Sequence, residues 1–535
     1  MRKAARYLAP TLIALAAAVL LLCGLDTRYL WEDEANTAVL ATRLLRFGKP
    51  LAYDGVNFIG LDDSNMEERE PIGLRTKSSR AVVDYYVRQG YLKADTTWKW
   101  HPWGSFAVAA ASIKLFGQTT LAARLPFALS GLLTILILYR LTLLCCASDR
   151  MAQVAAALLT LNAYWILHER QCRYYAMSSL FLVATLYCYV RWQRGGKWGG
   201  AVFVASAWCW FQTDYGTVWP VLVVLFADAF IAHRRIPRGT IATGAGLAAA
   251  IAPFVWYYEL WGRKGAQQDT WIERFQMNVF NMNEYVAPVL VLAAALALLV
   301  WRRKTWPDAE RRTVAVCCGI AVAIAVWVPS ITPLSFLRYS VMVAPLGCFL
   351  TAWVLVRAIP PGWGELVWPA AAVLAITPWV SLPLHPIVEP PSWYDGDWRF
   401  RPELWRLREE AFGHPEDINR RVIEWLRKNA APTDEILVNY EDAPLMYYLP
   451  NPVRGGVAAF RVEDDSRSRP RFLVMRPDVA FTDEPAFRRE EARSRWQTVK
   501  IGATAVLWGN NPDPMGDDSE DDDTQPMTIL RRVDD

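Results

Sequence analysis

The sequence predicts an α-helical, polytopic membrane protein of about 11 spans, followed over residues 383–535 by a soluble α/β domain. Composition, the spacing of apolar runs and the side on which basic residues collect all lead there. The chain has 535 residues, 53% of them apolar, with 26 tryptophans, and its mean hydropathy is +0.11. That is too hydrophobic for a soluble enzyme of this size, so lipid is its main solvent and membrane lipids are partners. The net charge of +4 is small and the basic residues fall in short clusters between apolar runs, a distribution that argues against nucleic acid as a partner.

The first run, Leu8 to Leu25, follows Arg2, Lys3 and Arg6 and is long enough to cross a bilayer. Arg28, Trp31 and a group of acids come next where a signal peptide would carry a small-residue cleavage site. An uncleaved first helix with a cytoplasmic N-terminus is expected. Further runs lie near 124–143, 151–167, 174–190, 199–215, 217–232, 239–258, 284–301, 313–329, 338–356 and 364–382. Alternate junctions hold Arg140 and Arg150, then Arg191, Arg194 and Lys197, then His233, Arg234, Arg235 and Arg238, then Arg302, Arg303, Lys304, Arg311 and Arg312. Cytoplasmic loops attract such residues, so this alternation orients the spans and puts the chain after 382 on the extracytoplasmic side of a cell membrane.

Residues 103–117 are apolar but short and contain Lys114. Counting them as a span would move every later basic cluster outside, so they are read as an interfacial helix within a long outer loop, 26–124. The membrane domain is thus 1–382. In the tail, Ile418, Val422, Trp425 and Leu426 share one helical face, while 435–440 and 471–475 read as buried strands. The acidic stretch 517–523 reads as a solvated loop. The nine cysteines, including the adjacent pairs Cys145-Cys146 and Cys317-Cys318, have no zinc-type spacing and read as small apolar packing residues.

Chemistry is concentrated just after the first run, at Trp31-Glu32-Asp33-Glu34-Ala35-Asn36. Three successive carboxylates near a bilayer surface must face water or a polar cavity. One would cap the amphipathic helix that follows and the helix dipole would favour a second, but neither effect requires three. A carboxylate fixed beside a hydroxyl nucleophile could accept its proton.

The stretches 31–51 and 99–139 resemble the integral membrane glycosyltransferases of the GT-C superfamily, in particular the protein O-mannosyltransferases and the bacterial enzymes that move aminoarabinose or other sugars from undecaprenyl phosphate. The resemblance rests on Asp33-Glu34, His101-Pro102 and Arg124-Leu125-Pro126, in that order. Trp103 stands where those families have a second proline. Looser matches are HERQCRYYAM (168–177), FQTDYG (211–216) and FLRYSVMVAPLG (336–347). The organisation is shared over about residues 9–350, and the tail is similar to extracytoplasmic domains of some members.

The resemblance implies a GT-C-like fold and inverting transfer of a sugar from a polyprenyl-phosphate donor to a hydroxyl acceptor at the extracytoplasmic face. Lipid, glycan and protein acceptors all stay open. Asp33 would be the base and Glu34 a second acid that orients it or binds the acceptor. Arg124, Arg170, Arg173 and Arg338 fall at outer helix ends, against the positive-inside bias, and would hold the lipid phosphate. Pairing with Glu169, Asp214 or Glu284 is the alternative for these arginines. His101 would donate to phosphate or ligate a metal, or else pack on Trp100 or Trp103; Asp214 and Tyr174 would help position substrate. Some relatives use a divalent metal and others do not, and no ligand set in the sequence decides between them. A transporter, or a catalytically silent scaffold with the same fold, would also carry many spans and buried charge.

Overall fold

The computed structural model describes residues 2–59, 87–88, 92–196, 198–233, 238–260, 270–301, 306–332, 336–387, 399–438, 440–455, 469–475, 494–504 and 526–533. Lys197, Arg234, Arg235, Arg302, Arg303, Lys304 and the acidic stretch 517–523 lie outside the described residues.

In chain order the helices are α1 Arg2–Leu22, α2 Glu32–Phe47, α3 Gly104–Phe116, α4 Thr120–Cys146, α5 Asp149–Leu161, α6 Ala163–Glu169, α7 Tyr175–Gln193, α8 Gly199–Phe211 and α9 Tyr215–His233. They continue with α10 Arg238–Tyr257, α11 Trp271–Asn281, a π-helical turn Met282–Val286, α12 Val289–Trp301, α13 Asp308–Ile331, α14 Ala344–Ala358, α15 Val367–Ile376, α16 Pro402–Phe412, α17 Ile418–Asn429 and α18 Asp442–Tyr448. Each of the apolar runs read from the sequence contains helix. Among the described residues, five helices are long and apolar enough to cross a membrane, and up to seven if each of two bent pairs is one span. The bends are 70° between α5 and α6 and 80° between Trp271–Val286 and α12. At the first, Asn162 leaves helical geometry and its side chain accepts a hydrogen bond from Trp165 N–H, so it both ends α5 and caps α6. α3 has 13 residues, too few to span.

The chain forms two compact units: the first is Met1–Leu25, Leu125–Tyr257 and Gln267–Gly413, the second Asp26–Arg124, Tyr258–Ala266 and His414–Asp535. The sequence reading starts the soluble domain at 383, whereas the second unit resumes at His414, because α16 packs within the first unit on α1 and α6. Residues 26–124 cluster with the chain from His414 onward.

In the first unit, helices pair closely: α7 with α8, α5 with α14, and α9 with α13. Trp165, Trp210 and Trp353 are fully buried there. The cysteines are all free thiols, and the adjacent pairs Cys145-Cys146 and Cys317-Cys318 are buried.

In the second unit a five-stranded sheet has the order β2-β1-β3-β5-β4, with β1 Ile436–Val438, β2 Val453–Gly455, β3 Phe472–Met475, β4 Trp496–Thr504 and β5 Pro526–Arg532. β1 runs parallel to β2 and β3, while β5 is antiparallel to β3 and β4. Ile418, Val422, Ile423 and Leu426 of α17 pack on Ile436, Val438, Phe472 and Val474 of the sheet. Asp417 caps α17 by accepting from Arg420 N–H at 2.8 Å. α2 packs on α3 and α18.

Candidate active site

The three carboxylates after α1 occupy the first turn of α2, where the helix dipole favours negative charge. The cap position is Trp31, which makes no side-chain cap bond. The far end of α2 stops at Gly48, whose φ of 73° is left-handed and whose N–H returns to Leu44 O.

Successive helical residues point about 100° apart, so the three acids meet different surroundings. Glu34 is 0% exposed and forms a bidentate ion pair: Arg124 donates Nε to Oε1 at 2.8 Å and Nη2 to Oε2 at 2.6 Å. Arg124 also donates to the carbonyls of Arg28 at 3.0 Å and Tyr29 at 3.5 Å, fastening the segment before α2. Glu32 accepts from Ala443 N–H of α18 at 3.2 Å and from Asn36 Nδ2 at 3.1 Å. Burial pushes its carboxyl well above the usual range, and the charges of Asp442 and Glu441 add to the shift. Asp33, between them, is half-buried.

The KWHPW element folds as a turn that opens α3. Trp103 replaces the second proline, and its indole Nε1 donates to Trp98 O at 2.9 Å while its N–H donates to Tyr258 Oη at 3.3 Å. The departure from the family pattern is therefore accommodated by a turn closed with side-chain bonds. His101 stacks on Trp98 with ring centroids 6.0 Å apart and meets Trp100 edge-on. Lys99, which the sequence reading passes over, is buried and pairs with Glu259. Only its place beside the His-Pro element could have drawn attention to it.

The remaining candidates belong to the first unit. Arg170 is buried and donates to the carbonyls of Leu20 at 2.5 Å and Glu410 at 3.3 Å. Arg173 lies over the Tyr174 ring at 5.6 Å, and Arg338 over Phe336 at 4.2 Å and Tyr339 at 5.8 Å. Tyr174 is within electrostatic reach of Arg173, Tyr339 and Asp214, and His168 is within reach of Arg338. The turn after α6, the segment before α14 and Asp214 before α9 thus bring two guanidiniums, tyrosines and a carboxylate within electrostatic range of one another.

Asp214 stands just before α9. It accepts from Gly216 N–H at 3.0 Å, from Ser178 Oγ at 3.3 Å and from the Thr217 hydroxyl. Glu169 accepts from Ser179 Oγ at 2.7 Å, and Glu284 meets His385 at 3.2 Å and Arg401 at 4.0 Å. Glu169 and Asp214 thus accept from hydroxyl and backbone donors and Glu284 meets His385 and Arg401, while Arg124 pairs with Glu34. Among the described residues no group of three or more His, Cys, Asp and Glu side chains is placed to hold a metal ion.

Residues 100–258 match the family model for dolichyl-phosphate-mannose-protein mannosyltransferase. The chain is similar over 98% of both lengths to ArnT from Cupriavidus metallidurans bound to undecaprenyl phosphate, with 16% identity and a TM-score of 0.57. It is likewise similar to that protein in the apo state, over 97% of both chains, with 15% identity and a TM-score of 0.58. No curated protein sequence gives a significant match. The chain shares the fold of ArnT over nearly its whole length.

Proposed function

We propose that the protein is an inverting glycosyltransferase that moves a sugar from a polyprenyl-phosphate donor to a hydroxyl acceptor at the extracytoplasmic face of the cell membrane. The fate of the three adjacent acids carries the reading. Glu34 is neutralised by Arg124 and Glu32 is turned to α18, which leaves Asp33 as the half-buried carboxylate of the group. The match of residues 100–258 to a dolichyl-phosphate-mannose family and the likeness to a structure holding undecaprenyl phosphate support a polyprenyl-linked donor.

In this mechanism Asp33 accepts the proton of the acceptor hydroxyl as its oxygen attacks the sugar carbon, and the lipid phosphate leaves from the opposite side. Arg173 and Arg338 stabilise the charge that builds on the departing phosphate. Arg170 and His101 support the same end, and Tyr174 and Asp214 position the donor. Glu34, held by Arg124, fixes the rotation of α2 and so the direction of Asp33. The N-terminus is cytoplasmic and the tail domain extracytoplasmic, where it meets the acceptor.

The test is Asp33→Asn in purified protein supplied with labelled polyprenyl-phosphate sugars. Asn serves equally well near a helix N-terminus but cannot take a proton. Transfer should fall by about 100- to 10,000-fold with donor binding kept. Normal transfer by this variant would overturn the mechanism.

A further inference from the structure

Helix α16, Pro402–Phe412, lies in the stretch after 382 that the sequence reading assigns to the soluble domain, yet it belongs to the first unit. Both of its ends are fixed near the ends of apolar helices. Arg401 N–H, just before α16, donates to the carbonyl of Ile376, the last residue of α15, at 3.0 Å. Near the other end, Glu410 O accepts from Arg170 Nη2 at 3.3 Å. The same carbonyl approaches Gly24, just past α1, so closely that a side chain at Gly24 would collide with it. A helix of 11 residues is about 16 Å long, so α16 runs from the end of α15 to the end of α1. In the topology proposed above both of those ends are extracytoplasmic, and a helix joining them lies along the membrane surface.

Its two faces differ. Glu403, Leu407 and Ala411 recur every four residues and are buried, as α16 packs on α1 and α6. Trp405, Arg408, Glu409 and Phe412, spaced by three and four, form the opposite stripe and are exposed. Trp405 is 62% and Phe412 59% exposed. The Arg408 guanidinium lies over the Trp405 ring at 4.4 Å. Phe400 just before the helix and Trp379 just after α15 are exposed as well. Large aromatic rings are thus left uncovered along the helix and beside it, with a guanidinium on one of them, and such surfaces mark interaction sites.

We propose that α16 is an interfacial helix whose Trp405–Phe412 stripe lies in the phospholipid headgroup layer. The stripe continues the lipid-facing surface of α15, where Val373 and Ile376 are exposed. Its chemistry is that of a headgroup layer: amphipathic rings sit at that level, and an arginine stem covers apolar surface while its charge stays among the phosphates. The membrane-bound part of the chain therefore extends to Phe412. Which face of the bilayer α16 lies on rests on the proposed topology. The contact with lipid is independent of the transfer reaction, because none of these stripe residues has a role there.

The full-length protein, with photoreactive p-benzoylphenylalanine in place of Trp405 or of Phe412, is reconstituted in phospholipid nanodiscs and irradiated, and the adducts are identified by mass spectrometry. Lys428, exposed on α17 of the second unit, is replaced in the same way for comparison. All three positions are exposed, so the fold should tolerate the larger ring, and unchanged thermal unfolding selects the proteins that are compared. Both α16 positions should give phospholipid adducts at a yield at least about tenfold above that at Lys428. Phospholipid yields at Trp405 and Phe412 no higher than at Lys428 would overturn the proposal. Adducts joining two copies of the chain in place of lipid would overturn it as well, and would assign the stripe to self-association.

Discussion

Removing one partner of the Glu34–Arg124 pair gives the sharpest test of how the acidic turn is built. The carboxylate is fully buried, the guanidinium side chain is 9% exposed, and the two bonds measure 2.8 and 2.6 Å. In Arg124→Ala, Glu34 is left charged and buried, at a cost of about 3–5 kcal/mol. The two carbonyls of Arg28 and Tyr29 lose their donor as well, so Arg124→Ala should exceed Glu34→Gln, which retains an acceptor. Hydrogen exchange of the α2 amides, Glu32–Phe47, reads the loss locally. Since 1.4 kcal/mol is about tenfold, protection should fall by roughly 100- to 3,000-fold in Arg124→Ala if these amides exchange through opening of this pair. Arg124→Lys keeps charge but not the fork and should lie between. The double variant should be less impaired than the sum of the single ones. Unchanged protection in Arg124→Ala, together with lost donor binding, would refute this reasoning and make Arg124 a phosphate ligand.

Glu32→Gln tests the buried acid on α2. A carboxyl whose pKa is raised on folding contributes stability that is full below its unfolded value of about 4.3 and is lost as pH rises toward the folded value. Gln can still accept from Ala443 N–H, so unfolding midpoints measured from acid to alkaline pH should decline less in the variant than in wild type. Asp214→Ala removes the acceptor before α9 and should cost about 1 kcal/mol, whereas Asp214→Asn should be near neutral by thermal denaturation. Gly347→Ala should destabilise strongly, because the methyl would sit 2.0 Å from a backbone oxygen; wild-type thermal stability in that variant would show that the approach of α14 to the π-helical turn is not as close as described.

The helices were legible in the sequence because hydropathy and turn signals are local quantities. The tail shows the same limit and the same success: Ile418, Val422 and Leu426 are buried on α17 with Trp425 packed beside them, and β1 and β3 fall within 435–440 and 471–475. β4 and β5 were not read, since strands such as Trp496–Thr504 mix polar and apolar residues and are defined by their antiparallel partner. The sequence alone also pointed to the acids at 32–34 and the outer arginines as the places where charge needs a reason. Which acid is neutralised, which is turned to α18 and which stays half-exposed was decided only by tertiary structure. The partners of Glu34 and Glu32 lie 90 and 411 residues away along the chain. No local pattern encodes such pairings, because an ion pair or a backbone bond across the fold depends on where the helices pack and on the rotation of α2 that packing selects.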